Sequence, residues 1–210
     1  MTYLFDFDGT LVNSMPIYID TMIQILEDFQ IDYPEDIVKI ITPLGTMGTV
    51  RYYMELGVPL SQEELIERMG RGMIEAYFTQ IPAKDGVIET LKELKRRGDS
   101  LNVLTASPHI TLDACLTRLG IYDWFDHVWS CDDFATTKAD PEIYKQAAGK
   151  MGVPVESVLF FDDNLNAIRT AQQAGMQVCG VYDESSAEYK EEMKRVSGRY
   201  IENFKELISR

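Results

Sequence analysis

Two aspartates near the start of the chain have a spacing that can support catalysis or metal binding. Asp6 and Asp8 follow an apolar run that begins at Tyr3, and Gly9 comes directly after them. Side chains two residues apart on a strand share a face, so we expect the two carboxylates to lie close together. Crowding of like charges and burial raise a carboxyl pKa, which favours a shared divalent cation or a proton held for catalysis. The alternative is a plain turn, because Asp-Gly is an ordinary turn dipeptide.

Further polar groups follow apolar runs later in the chain. The segment 105–107 (Thr-Ala-Ser) ends one apolar run, and the pair Asp162 and Asp163 ends another. Between them, Lys138 stands two residues ahead of an Asp-Pro pair. A lone lysine in a loop is usually solvated, so Lys138 is a candidate functional residue only because it lies between these other polar segments. The Ser107-Pro108 pair predicts a helix with Ser107 as N-cap and Pro108 at its first position.

The elements that position these residues alternate between strands and helices. Strand-like apolar runs are predicted at 3–7, 101–105, 127–130, 158–161 and 177–181, with helical patterns between most of them. Such alternation predicts an α/β fold, with a Rossmann-like parallel sheet covered by helices on both faces. Ligands of such sheets gather beyond the carboxyl ends of the strands, which is where the candidate residues lie.

The stretch 14–82 interrupts this alternation with helical periodicity alone. Apolar residues between Ile17 and Phe29 form one helical stripe, and a capping box at Ser61 opens another helix that runs toward Phe78. Prolines mark both ends of the stretch. We therefore predict an α/β core formed by residues 1–13 and 83–210, with a helical insert at 14–82.

The four polar elements, in this order, resemble the motifs of the haloacid dehalogenase-like superfamily, in its phosphatase and phosphoglucomutase branch. The first motif of that family is Asp-x-Asp-Gly-Thr, which matches residues 6–10. The resemblance implies that the insert is a small helical cap over the active site, which closes over substrate and sets specificity. Within the insert, the candidates are a predicted loop, Thr42 to Thr46, and Arg51 one turn into the next helix, although Arg51 alone could equally be an ordinary surface residue.

The resemblance also implies a role for each core residue. Asp6 would be the nucleophile that forms an aspartyl-phosphate, and Asp8 the general acid and then the general base. Dehalogenases of this fold attack carbon and do not keep an acid at the second position, so Asp8 favours phosphoryl transfer. The hydroxyl of Thr105, the backbone N–H of Ala106 and the ammonium of Lys138 would bind the phosphate.

A Mg²⁺ ion is the implied cofactor. Its expected ligands are Asp6, the backbone carbonyl of Asp8 and Asp163, with Asp162 as second choice, because hard oxygen ligands suit this ion. Where many relatives carry a further aspartate, this chain has Ala167. The alternative for the Asp162-Asp163-Asn164 segment is a helix N-cap cluster.

The amino-acid composition limits the kinds of molecule that this protein is expected to bind. Twenty basic against 34 acidic residues give a formal charge of −14, which disfavours nucleic acid and anionic membrane surfaces. The sequence contains no apolar run long enough to span a bilayer and no signal-peptide pattern, and its three cysteines suggest neither disulfides nor zinc. We therefore expect a cytoplasmic monomer that acts on a small phosphorylated metabolite.

Three functions remain open at this stage. The first is a Mg²⁺-dependent phosphatase acting on a small phosphate monoester, and the second is a phosphosugar mutase of the same fold. The third, from another class, is a non-catalytic module that binds a ligand or partner. A phosphonate hydrolase is disfavoured, because its imine-forming lysine would have to be Lys39, the one lysine of the insert.

Overall fold

The computed structural model of the chain describes residues 1–41 and 44–209. The chain divides into two compact units, one formed by Met1–Asn13 with Ile81–Arg210 and the other by Ser14–Gln80. We refer to the first as the core unit and to the second as the helical unit. None of the helices in the described residues is long and apolar enough to cross a membrane.

The core unit contains one parallel sheet with the strand order β3-β2-β1-β4-β5-β6. The strands are β1 (Thr2–Phe5), β2 (Ser100–Thr105), β3 (His127–Ser130), β4 (Val158–Asp162), β5 (Gln177–Val181) and β6 (Tyr200–Ile201). All their pairings are parallel. Strand order reverses between β1 and β4, and ligands bind at such a switch point in open α/β sheets.

The helices in the described residues are α1 (Met15–Asp28), α2 (Ile37–Ile41), α3 (Gly45–Glu55), α4 (Gln62–Thr79), α5 (Val87–Arg96), α6 (His109–Arg118), α7 (Pro141–Met151), α8 (Leu165–Ala174) and α9 (Lys190–Ser197). Short 3₁₀ turns lie at Tyr122–Trp124, Cys131–Phe134, Val155–Ser157, Glu184–Tyr189 and Phe204–Leu207. The first four helices belong to the helical unit and the remaining five to the core unit. The predicted α/β class, with a parallel sheet and covering helices, is confirmed.

The central strands are apolar along nearly their whole length because both of their faces are covered. Every residue of β4 is buried, and so is β2 after its first residue. Phe5 of β1 and Phe161 of β4 are opposite each other in register, with ring centroids 4.9 Å apart. Buried strands of this kind form the rigid platform from which the loops at their carboxyl ends project.

The helical unit has its own apolar core. Tyr53 of α3 is fully buried, and its hydroxyl donates to the carbonyl of Met22 in α1 at 2.9 Å. The predicted capping box is confirmed: the Ser61 hydroxyl accepts from the Glu64 N–H at 3.2 Å, and the Ser61 N–H donates to the Glu64 carboxylate at 2.8 Å. These contacts fix the start of α4.

Several predicted boundaries were wrong. Strand β1 ends at Phe5 and not at residue 7, because the Phe7 carbonyl accepts from the N–H groups of Leu11 and Val12 and so turns the chain. Strand β6 escaped prediction because two residues are too short to show a pattern. Helix α6 begins at His109, with Pro108 and not Ser107 at its N-cap.

Candidate active site

The candidate residues meet at the carboxyl edge of three neighbouring strands. Asp6 follows β1, Thr105 ends β2 and Asp162 ends β4, with β1 between the other two. They share a cavity of about 320 Å³ in the core unit. The cavity is lined by Asp6, Asp8, Thr105, Ala106, Lys138, Ala139, Asp162, Asp163, Asn164, Asn166 and Ala167. Every core residue predicted for the site is among them.

Three carboxylates form the centre of this cavity. One oxygen from each of Asp6, Asp162 and Asp163 lies within 4.8 Å of the other two. Burial raises the pKa of Asp6 to about 7, an effect that Lys138 opposes and that Asp162 reinforces. Burial, followed by the charges of Asp162 and Asp6, also raises the pKa of Asp163 well above its ordinary value. Three crowded acids of this kind favour either a bound proton or a compensating positive charge.

Lys138 supplies part of that charge. Its ammonium donates to Asp6 and, at 2.8 Å, to Asp162. Burial disfavours the charged ammonium, but the two carboxylates outweigh burial and raise the pKa of Lys138 above its ordinary value. The buried hydroxyl of Tyr144 lies within hydrogen-bonding distance of the Lys138 carbonyl (3.1 Å) and the Ala167 carbonyl (3.2 Å). Tyr144 therefore ties the Lys138 loop to α8.

Asp8 is held by a residue to which the sequence analysis gave no chemical role. The hydroxyl of Ser107 donates to the Asp8 carboxylate. Ser107 also donates its N–H to the Thr105 hydroxyl at 3.0 Å. Because that hydroxyl accepts from Ser107, its own proton can be donated to a phosphate oxygen. The Ser107 side chain thus contacts Asp8, and Pro108 occupies the N-cap of α6.

Thr10 and Gly9 determine where Asp163 lies. The Thr10 hydroxyl donates to an Asp163 carboxylate oxygen at 3.1 Å and accepts from the Asp163 N–H at 3.2 Å. Gly9 has a φ of +73°, a left-handed conformation in which a side chain is strained. A Cβ at Gly9 would lie only 2.6 Å from the Asp163 carboxylate. The loop therefore needs glycine for two independent reasons.

We predict that Gly9→Ala weakens cation binding and destabilises the core unit. The left-handed φ alone costs about 1–2 kcal/mol for a residue with a Cβ. The steric clash between the added Cβ and the Asp163 carboxylate would also force that side chain to move. Gly120→Ala is the matched control, because Gly120 has a φ of +71° with no atom within 4 Å of the added Cβ.

Chemical denaturation and Mg²⁺ titration calorimetry of both variants measure the two effects. Gly120→Ala should show only the loss of stability, whereas Gly9→Ala should show that loss together with a weaker Mg²⁺ affinity. Equal Mg²⁺ affinity in the two variants would contradict the inference that Gly9 makes room for Asp163.

The donor set fits a hard divalent cation. The three clustered side chains offer only carboxylate oxygens, and two of the three residues are buried. Their mutual repulsion is relieved only in part by Lys138, which contacts two of them. Oxygen ligands of this type suit Mg²⁺, which commonly binds through one or two carboxylates and retains several waters.

The candidate specificity residues lie in the helical unit. Thr46 and Arg51 are both exposed on α3, and the Arg51 Nε donates to the Met47 carbonyl at 3.3 Å. Thr46 was expected in a loop but belongs to the first turn of this helix. Thr42 and Pro43, the start of the same predicted segment, lie outside the described residues.

Sequence reasoning missed two residues that orient the site. Ser107 was assigned to a helix cap, although its place two residues after Thr105, at the end of a strand, was a usable signal. Tyr144 stands six residues after Lys138 and had no signal of its own, because a buried tyrosine hydroxyl cannot be recognised before the fold is known. Both act on residues that face the cavity.

Comparison with known proteins places this site in a family. A model of the family described as haloacid dehalogenase-like hydrolases matches residues 3–181. A phosphorylated carbohydrates phosphatase from Thermotoga maritima is 26% identical over 83% of this chain and 81% of its own length. The pyrophosphatase PpaX from Bacillus cereus is 29% identical over 86% of this chain and 82% of its own length.

Solved structures share the fold. A candidate β-phosphoglucomutase from Thermotoga maritima has a TM-score of 0.83 at 24% identity and covers 99% of this chain and 96% of its own. A mutant of CbbY from Rhodobacter sphaeroides, crystallised in complex with xylulose-1,5-bisphosphate, has a TM-score of 0.76 at 22% identity and covers 98% of this chain and 95% of its own. At these identities, the likeness establishes the fold.

Proposed function

The chain belongs to the haloacid dehalogenase-like hydrolase family, and we propose that it is a Mg²⁺-dependent phosphatase acting on a small phosphate monoester. The observation that carries the proposal is the cluster of Asp6, Asp162 and Asp163, bridged in part by Lys138, in one cavity with Asp8 and Thr105. A nucleophile, a separate acid and cationic groups are the parts that phosphoryl transfer requires.

In the first step, the Asp6 carboxylate attacks phosphorus. A bond forms between a carboxylate oxygen and phosphorus, and the bond between phosphorus and the ester oxygen breaks. Asp8 in its protonated form gives its proton to the departing oxygen, so that an alcohol leaves and an aspartyl-phosphate remains. The bond from Ser107 holds the Asp8 carboxyl group and restricts its orientation.

In the second step, water replaces the aspartyl group. Asp8, now a carboxylate, accepts a proton from a water molecule whose oxygen attacks the same phosphorus atom. The acyl-phosphate bond breaks, which returns the Asp6 carboxylate and releases inorganic phosphate. One residue performs both proton transfers because the second reverses the first.

Electrostatic stabilisation of the phosphoryl group comes from several neighbours. Lys138 and the donors at Thr105 and Ala106 face the same cavity, where they would neutralise the phosphoryl oxygens. When bound by Asp6, Asp163 and the Asp8 carbonyl, with Asp162 alongside, Mg²⁺ would supply the positive charge that lets an anionic carboxylate approach an anionic ester.

The substrate class follows from charge and from the relatives. The net charge of −14 disfavours polyanions, so attraction must be local and the substrate small. Similar proteins are named for phosphorylated carbohydrates and for validoxylamine A 7′-phosphate, the latter from Streptomyces hygroscopicus subsp. limoneus. We propose that residues 14–82 serve as a cap that selects among such esters, with Thr46 and Arg51 as its candidate contacts.

The test is a panel of phosphate esters incubated with the purified chain, with Mg²⁺ and with a chelator. We expect Mg²⁺-dependent release of inorganic phosphate from several sugar phosphates. Interconversion of sugar phosphates without phosphate release would favour the mutase instead. Failure to turn over a broad panel would favour a non-catalytic module.

A further inference from the structure

Lys84 is a lysine of the core unit whose ammonium group lies largely inside the protein. Its side chain is 16% exposed, and that of its partner Asp183 is 4% exposed. The ammonium lies 2.8 Å from the Asp183 carboxylate and 2.6 Å from the Gly9 carbonyl oxygen, and it also donates to the Tyr182 carbonyl. A lysine has three donors, so all three are satisfied by protein acceptors.

The backbone of Lys84 is fixed to the same loop that its side chain contacts. Its N–H donates to the Leu11 carbonyl at 3.0 Å, and Ala83 pairs with Val12 in an antiparallel bridge. From this bridge, the Lys84 side chain extends to the Gly9 carbonyl oxygen. The backbone and the side chain of Lys84 both bind the loop after β1, and the side chain also binds the loop after β5, so Lys84 joins the two loops.

The loop after β1 carries Asp6 of the carboxylate cluster and, through Thr10, contacts Asp163, which follows β4. Gly9 lies between Asp8 and Thr10, and Thr10 in turn holds Asp163. Asp183 is close enough to Asp163 that its charge helps to raise the pKa of that group. The Lys84 ammonium thus neutralises one more acid beside a cluster that already carries excess negative charge.

Stability alone gives little reason for such a pair. Removing two charges from water costs several kcal/mol, and apolar residues of similar volume are often as stable as a buried ion pair. What an apolar residue cannot do is donate to two carbonyl groups on different loops. The hydrogen bonds that Lys84 donates to the Gly9 and Tyr182 carbonyls, and not only its charge, therefore call for a functional explanation.

We propose that Lys84, paired with Asp183, is a positioning residue for the metal site. By holding the Gly9 carbonyl, it fixes the backbone of residues 8–10, which presents the Asp8 carbonyl and, through Thr10, the Asp163 carboxylate to the cation. The inference deepens the proposed function and depends on it for the identity of that cation.

The test measures Mg²⁺ affinity directly, with MgCl₂ titrated into the full chain by calorimetry. We expect Lys84→Met to weaken Mg²⁺ binding roughly 10- to 100-fold, which is the usual effect of losing a group that orients ligands. Lys95→Met is the matched control. Lys95 pairs with Asp126 at the amino ends of the strands, away from the site, and should leave the affinity unchanged.

A double variant separates positioning from stability. Lys84→Met alone leaves the Asp183 carboxylate buried without its partner, which destabilises the fold. Lys84→Met with Asp183→Asn removes both charges, and the asparagine retains an oxygen for the Ser185 N–H. We expect this double variant to recover stability while its Mg²⁺ affinity stays low, because Gly9 and Tyr182 still lack their donor.

Two results would overturn the inference, and they differ from each other. Wild-type Mg²⁺ affinity in the double variant, with phosphatase activity intact, would leave the proposed function standing and reduce Lys84 to a structural residue. Absence of Mg²⁺ binding by the unmodified chain would overturn the proposed cofactor and this inference together.

Discussion

Replacing Asp6 by asparagine is expected to lower kcat by roughly four orders of magnitude or more, because the proposed path through an aspartyl-phosphate would be lost entirely. An amide has nearly the shape of a carboxylate but is not a nucleophile of comparable strength. Phosphate release from a substrate identified in the ester panel measures the effect. Wild-type-like turnover by Asp6→Asn would exclude Asp6 as the nucleophile.

The fold should survive this change. The asparagine oxygen can still accept from Lys138, which also retains Asp162 at 2.8 Å. The substitution removes one of three crowded carboxylates, so we expect the unfolding temperature in the absence of Mg²⁺ not to fall. Asp126→Asn is the matched control: this acid pairs with Lys95 and Ser100 at the opposite edge of the sheet, and its variant should keep full activity.

Asp8→Asn is expected to lower kcat/KM by roughly 10²- to 10⁴-fold, the usual contribution of a positioned general acid. The size of the loss should depend on the leaving group. An alkyl phosphate must have its departing oxygen protonated, whereas nitrophenol leaves readily as an anion. The loss should therefore be large for a sugar phosphate and much smaller for p-nitrophenyl phosphate.

Comparing kcat/KM for the two esters tests the role of Asp8 separately from its position. The asparagine can still accept from Ser107, so the loop around residue 8 should keep its conformation. Because kcat/KM reports the steps up to formation of the aspartyl-phosphate, later hydrolysis does not obscure the comparison. Equal losses for the two esters would show that Asp8 does not protonate the leaving group.

Much of the core could be predicted because its signals are local. Apolar runs buried on both faces indicate parallel strands, and the polar residues after them must gather at one edge of the sheet. The capping box at Ser61 predicted the start of a helix from four residues alone. These patterns need no knowledge of distant contacts.

The ends of strands and the contacts of individual side chains were harder to predict from the sequence. Asp6 lies just beyond the end of β1. The position of Asp8 is therefore set by the loop that turns at Phe7, and not by the alternation of side chains along a strand. The roles of Ser107 and Lys84 depend on partners 99 residues away along the chain. A serine beside a proline and a lysine between helices are otherwise ordinary.

The chain by itself determined the types of chemical group available, their order along the strands and the class of sheet that carries them. Only the tertiary structure decided which acids lie close enough to share a cation, because three carboxylates within 4.8 Å arise from the pairing of β1 with β4. It also decided which polar groups restrain them. Hydrogen bonds between distant loops exist only after the apolar strands have packed, and no short stretch of sequence encodes them.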